Sequence, residues 1–150
     1  MAAGVAAESA GSAVGTGTLG DVDGDGDLDI VISTNNGPGY LYRNDGGNQN
    51  HWLHLKLEGT KSNRDAIGAS LKIFHGASNG TSSQSRLVKG GSSYLSQSEL
   101  PVTFGLGKRD KVDRLVIQWP SGRTEEYKNL AAGRAYACVE AKGITALPGF

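Results

Sequence analysis

Apolar and polar positions alternate along much of this chain. In HWLHLKLEG, residues 51–59, Leu53, Leu55 and Leu57 fall on one face, with Trp52, His54 and Lys56 on the other. That period of two predicts a half-buried strand. Further strands are predicted at 69–74, 83–88, 102–104, 114–119, 125–127 and 135–139, and two short ones earlier, at 30–33 and 40–43. Clusters of Gly, Asn, Ser and Pro separate these runs, at 35–39, 44–50, 59–63, 75–80, 90–93, 105–110 and 120–122. No segment offers ten residues of helical period, and 129–133 reads as one short turn. Short strands at near-regular spacing, punctuated by turns, predict an all-β fold, an antiparallel β-sandwich of Ig-like or jelly-roll-like type.

The N-terminal segment has a different texture. MAAGVAAESAGSAVGTGTLG has no basic leader region and no continuous apolar stretch, so it does not read as a signal peptide. A flexible or extended arm over 1–19 is expected.

Composition narrows the function classes. Fifteen basic and fifteen acidic residues cancel. A nucleic-acid binder would carry a basic excess, so nucleic acid is not an expected partner. No apolar run approaches the ~20 residues of a membrane span, so membrane insertion is not expected. The 23 glycines leave no heptad pattern for a coiled coil. Cys138 is the single cysteine, so no intramolecular disulfide can form.

The zero net charge hides a segregation. Residues 1–42 contain six acids and no Lys or Arg, a formal −6, and residues 43–150 carry the balancing +6. Five of the six acids lie in DVDGDGDLD, residues 21–29. Carboxylates at i, i+2 and i+4 followed by Gly26 form the start of a calcium loop. Ca²⁺ takes six to eight hard oxygens, and a cation relieves the mutual repulsion of so many carboxylates. Gly26 allows the sharp turn that returns the later ligands to the ion. An EF-hand would need Glu at its twelfth position and a helix beyond, but Ile32 stands there, inside a β-branched run. The loop therefore feeds a strand. Asp21, Asp23, Asp25 and Asp29 are expected to ligate through side chains, and Asp27 through its backbone carbonyl. Mg²⁺ prefers retained waters and suits this set less well.

Here the residues carry a resemblance. DVDGDGDLDIVIS, a turn and YLYRN resemble an FG-GAP/VCBS-type repeat, a β-propeller blade with a calcium loop between strands. NHWLHLKLEGTKSNRDAIGASLKI, GGSSYLSQS, FGLG and VDRLVIQWPSGRTEEYKNL are similar to an ASPIC/UnbV domain. Such domains commonly follow these repeats in extracellular proteins of the cartilage acidic protein-like type. The resemblance implies an extracellular β-rich module with calcium on Asp21, Asp23, Asp25, Asp27 and Asp29, and brings no catalytic residues. The expected domains are an arm at 1–19, a calcium-loop hairpin or partial blade at 20–49, an ASPIC/UnbV-like sandwich at 50–142 and a tail at 143–150.

A propeller needs at least four blades, and 150 residues hold one partial blade. Three outcomes are open. The chain is a piece of a longer protein, the hairpin joins the body's own sandwich, or a neighbouring subunit completes an exposed edge.

Other motif matches fail on context. GTGTLG at 15–20 satisfies a dinucleotide pattern, but an acidic loop follows it where a helix N-terminus should be. GASNG at 76–80 has no downstream His and no following helix, so Ser78 is not read as a nucleophile. His51 and His54 are three apart on a strand, face opposite ways and read as surface histidines. Asn79 begins an N-glycosylation sequon in a predicted loop, and Ser82, Ser83 and Ser85 are nearby candidates for O-linked sugar. Cys138, Trp52 and Trp119 read as packing residues.

The expected function is an extracellular, non-enzymatic, calcium-binding structural or adhesion module. It is expected to assemble head to tail with further copies, an acidic arm adding to the next basic body. The alternative is a calcium-dependent glycan- or protein-binding piece of a longer propeller protein.

Overall fold

The computed structural model describes residues 14–46, 49–75 and 82–148. The Asn79 sequon and residues 1–13 lie outside the described residues. Among the described residues, eleven strands account for the regular structure, in the order β1 (Val14–Gly20), β2 (Asp29–Thr34), β3 (Tyr40–Tyr42), β4 (His51–Glu58), β5 (Ser70–His75), β6 (Ser82–Leu87), β7 (Val102–Gly107), β8 (Lys111–Gln118), β9 (Thr124–Ala131), β10 (Arg134–Val139) and β11 (Gly143–Ala146). The expected all-β class and the sandwich are borne out. Among the described residues no helix is long and apolar enough to cross a membrane.

The chain divides into two units, one of Met1–Gln49 with Gly91–Glu99, the other of Asn50–Gly90 with Leu100–Phe150. The division sharpens the charge pattern. The first unit holds eight acids and one base, Arg43, a formal −7. The second holds fourteen bases and seven acids, a formal +7.

The first unit is a three-stranded antiparallel sheet in the order β1-β2-β3. The hairpin expected from sequence was two-stranded, and VGTGTLG, expected within the arm, supplies the third strand, with Gly20 opposite Asp29 and Leu19 opposite Ile30. Its alternation is hidden because Gly15 and Gly17 present no side chain. A third strand is what such a hairpin needs, since two strands alone are marginal in water. The Gly91–Glu99 segment then laces the free edge of β1. Ser96 Oγ donates to Gly17 O, and Thr18 Oγ1 donates to Gln97 O. Glu99 N donates to Leu19 O at 2.9 Å.

The second unit is the sandwich, with sheets ordered β11-β10-β4-β7 and β6-β5-β8-β9. Both sheets contribute to one core. Leu53, Leu55 and Phe104 meet Leu71, Ile73, Leu115, Ile117 and Trp119, all buried. The alternation in HWLHLKLEG places its leucines inward as expected. His54 departs from the surface reading: it is buried, and its Nδ1 lies 2.9 Å from Thr103 Oγ1. That hydrogen bond from the neighbouring strand is what lets a polar ring leave water.

The sandwich is mixed rather than wholly antiparallel. β10 runs parallel to β4, with Tyr136 opposite Leu55. The chain reaches β10 from β9 in the other sheet, so no hairpin dictates its direction. Residues expected in a C-terminal tail form β11, paired with β10 through Ile144 opposite Cys138. The turn expected at 129–133 begins late, because β9 continues to Ala131. Asn129 takes a positive φ of 55° within the strand, and the buried set shifts there from one parity to the other, with Leu130 inward.

Candidate metal centre

Residues 21–28 connect β1 to β2 and turn the chain through two glycines at positive φ, Gly24 at 78° and Gly26 at 92°. A Cβ is disfavoured in that region, which is why glycines alternate with aspartates here. Gly26 was legible in the sequence as a turn residue; Gly24 has the same role.

The aspartates organise the loop by accepting its own amide protons. Asp21 Oδ1 accepts Gly24 N at 2.8 Å, and Asp21 Oδ2 accepts Gly26 N at 3.1 Å. Asp23 Oδ1 accepts Asp25 N at 3.3 Å, and Asp25 Oδ1 accepts Asp27 N at 3.1 Å. Asp29 is 1% exposed and braces two segments, its Oδ2 accepting Val22 N at 2.9 Å and its Oδ1 accepting Asn44 N at 2.8 Å. The backbone thus converges on the carboxylates.

Of the five aspartates singled out in sequence, the structure brings Asp21, Asp23 and Asp29 together, one carboxylate oxygen of each lying within 4.8 Å of the others. Asp25 and Asp27 lie in the same loop but outside that trio; Asp27 is buried and Asp25 half-buried. At ~4 Å, like charges repel by about 4 kcal/mol at an effective dielectric of ~20. Three hard anionic oxygens gathered this closely, one of them on a fully buried residue, match the donor chemistry of Ca²⁺. Arg43 offers partial compensation at the rim, with Nε 3.7 Å from Asp23 Oδ2 and 2.6 Å from Asp45 Oδ1. Its guanidinium pKa is raised, chiefly by the hydrogen bond and charge of Asp45.

One contact to this loop has no local signal in the sequence. Glu99 Oε2 accepts the Asp21 amide at 3.3 Å, from 78 residues away.

The second unit carries its own polar cluster, also illegible in sequence. Glu140, 1% exposed, accepts hydrogen bonds at Oε2 from the amides of Thr60, Lys61 and Ser62 at 2.9, 2.8 and 2.7 Å. Its Oε1 accepts the hydroxyls of Ser62 and Ser121. Burial pushes this carboxyl up, but the donors outweigh it and hold it at about 2. A cavity of about 290 Å³ opens beside it, lined by Thr60, Lys61, Ser121, Arg123, Glu140 and Ala141. With five donors on its two oxygens, Glu140 serves as a brace between loops.

Nearby, Glu125 Oε2 accepts the Trp119 indole N–H at 3.0 Å and the Tyr127 hydroxyl at 2.9 Å. Trp119 is 2% exposed, a core residue as expected. Cys138 is fully buried, and burial pushes its thiol up to about 12.

Comparison with known proteins assigns the sandwich. The family described as ASPIC and UnbV matches residues 59–145. The chain is 32% identical to cartilage acidic protein 1 of Homo sapiens over 127 residues, covering 83% of this chain and 18% of that protein. It is 34% identical to cartilage acidic protein 1 of Xenopus tropicalis over 123 residues, covering 80% of this chain and 18% of that protein. The chain therefore spans less than a fifth of the length of the curated relatives it matches. The matched span includes the Glu140 brace, the Trp119–Glu125 pair and the Gly91–Glu99 segment. The chain belongs to the ASPIC and UnbV family.

Proposed function

We propose that this chain is an extracellular, calcium-binding structural or adhesion module in which the ion orders the loop between β1 and β2. The observation that carries the reading is the convergence of Asp21, Asp23 and Asp29 within 4.8 Å. These three carboxylates would supply the anionic part of the shell, with Asp25 and Asp27 close by in the same loop. Similarity to the FG-GAP/VCBS calcium loop supports the choice of ion, and similarity to cartilage acidic protein 1 supports an extracellular setting. The ion's role in this reading is structural, with no reaction assigned to it. Ligand at 100 times its dissociation constant stabilises a fold by about 2.7 kcal/mol. That is enough to decide whether so small a sheet is ordered.

Titration calorimetry of Ca²⁺ into the metal-free chain tests the reading. A saturable isotherm is expected, weakened at least about tenfold in Asp29→Asn. Heats indistinguishable from dilution at about 10 mM Ca²⁺, above the ~10⁻³ M limit of extracellular modules, would end it.

Two finer readings follow the same module. Head-to-tail assembly through the arm has the weaker support, because Val14–Gly20 already pairs with β2 of its own chain. Light scattering after size exclusion decides it, and a monomer with and without chelator removes it. The alternative, a calcium-dependent glycan- or protein-binding piece of a longer protein, is favoured by the small share of the relatives that the chain covers. Tyr94, 83% exposed, is its candidate contact residue.

A further inference from the structure

The sandwich unit carries a formal +7, and one of its outward faces concentrates part of that charge on an aromatic platform. Residues directly opposite in an antiparallel pair share a face. Ser83, Phe74, Arg114 and Lys128 therefore form one row across β6, β5, β8 and β9. Ser85, Lys72, Val116 and Glu126 form the row beside it. Leu71, Ile73, Leu115 and Ile117, of opposite parity, fill the core, so these rows point away from it.

Phe74 lies between two cations. The Arg114 guanidinium carbon is 4.0 Å from the ring centroid and the Lys72 ammonium 5.1 Å. An aromatic face holds a guanidinium in place while leaving its N–H edge for a planar anion. Lys128 continues the row with 69% of its side chain exposed. Glu126 is the acid among them, 3.5 Å from both Arg114 Nη1 and Lys128 Nζ, with about two-fifths of its side chain exposed.

We propose that this face, through Lys72 and Arg114 on the Phe74 ring and Lys128 beside Arg114, binds a sulfated linear polysaccharide. Charge complementarity selects a polyanion. The cationic row, flanked by Ser83 and Ser85, favours sulfated sugar over nucleic acid: the rows carry one arginine stacked on Phe74 and no aromatic free to receive a base. Glu126 acts as an internal competitor that the sulfates displace. The proposal does not depend on the calcium reading.

The test is affinity chromatography and calorimetry on the full chain with heparin as probe, at several salt concentrations. The Arg114→Ala/Lys128→Ala variant is expected to bind about tenfold more weakly with a smaller salt slope, since each lost contact releases fewer counterions. Glu126→Gln is expected to bind more tightly and to elute at higher salt, an effect that loss of folding cannot imitate. Arg114→Lys should recover part of the loss of Arg114→Ala, but not all, because the planar stack is gone. Wild-type elution by both the double variant and Glu126→Gln would overturn the proposal. So would equal competition by non-sulfated hyaluronan or by duplex DNA, which would leave only generic attraction to polyanions.

Discussion

Glu140 holds Ser62 twice, its Oε2 accepting the Ser62 amide at 2.7 Å and its Oε1 the Ser62 hydroxyl at 3.0 Å. The Thr60 and Lys61 amides on the same carboxylate make this a nest of three consecutive N–H groups filled by the protein's own anion. Because the folded pKa of about 2 lies below the ordinary 4.5, the folded state binds its proton later than the unfolded chain does. The stabilisation is complete above pH ~4.5 and is lost as pH falls from there towards ~2. Glu140→Gln is expected to lower the melting temperature at pH 7 and to flatten that acid limb, as followed by thermal melts across pH. An unchanged limb would show that other carboxylates set it.

Gly26 sits at φ 92°. Gly26→Ala should strain the loop by about 1–2 kcal/mol, the penalty of a left-handed conformation for a residue with a Cβ. The effect falls on the β1–β2 loop, so the calcium binding proposed there should weaken while the melting of the sandwich unit stays near wild type. Calorimetry with Ca²⁺ and differential scanning of the same sample separate the two.

Trp119 donates to Glu125 from a buried position. Glu125→Ala leaves the indole N–H unsatisfied and is expected to destabilise the sandwich by about 1–3 kcal/mol in denaturant titrations. Trp119→Phe, which removes the donor together with part of the ring, should make a following Glu125 substitution less harmful. Additive losses in the double variant would dismiss the coupling.

The core itself sets a larger scale. Leu115 and Phe104 are fully buried. Leu115→Ala is expected to lose about 2–5 kcal/mol and Phe104→Ala about 3–5 kcal/mol, read from urea midpoints.

Cys138 is sealed in the core with its thiol pushed up to about 12. Iodoacetamide at pH 8 should leave the native chain unmodified and label it once in strong denaturant. Native labelling at the rate of a free thiol would contradict the burial.

Much of the sandwich was legible because its strands are written locally. HWLHLKLEG, SLKIF and VDRLVIQW alternate, and each is closed by Gly, Asn, Ser or Pro. VGTGTLG was not legible, since glycine at two of its positions erases the period that identifies a strand. His54 departs for another reason: it keeps the parity opposite to Leu53 and Leu55, yet that outer position is covered, with its ring paired to the Thr103 hydroxyl on the next strand, and a strand's period cannot show which outer positions are covered. The acidic loop announced itself by composition, but composition could not separate Asp21, Asp23 and Asp29, whose oxygens meet, from Asp25 and Asp27 between them.

The sequence alone determined what depends on neighbours along the chain: the strand periods, the turns, the all-β class, and a carboxylate-rich loop pinned by Gly26. The tertiary structure decided what depends on residues far apart. It set β10 parallel to β4, brought Glu99 to the Asp21 amide, and closed Glu140 over Ser62. It also turned a −6/+6 split along the chain into −7 and +7 units, because Gly91–Glu99 returns to the acidic sheet and brings its glutamate there. Hydrogen-bond pairing across sheets is satisfied by whichever donors and acceptors the packed core brings within hydrogen-bonding reach, and no local pattern encodes that choice.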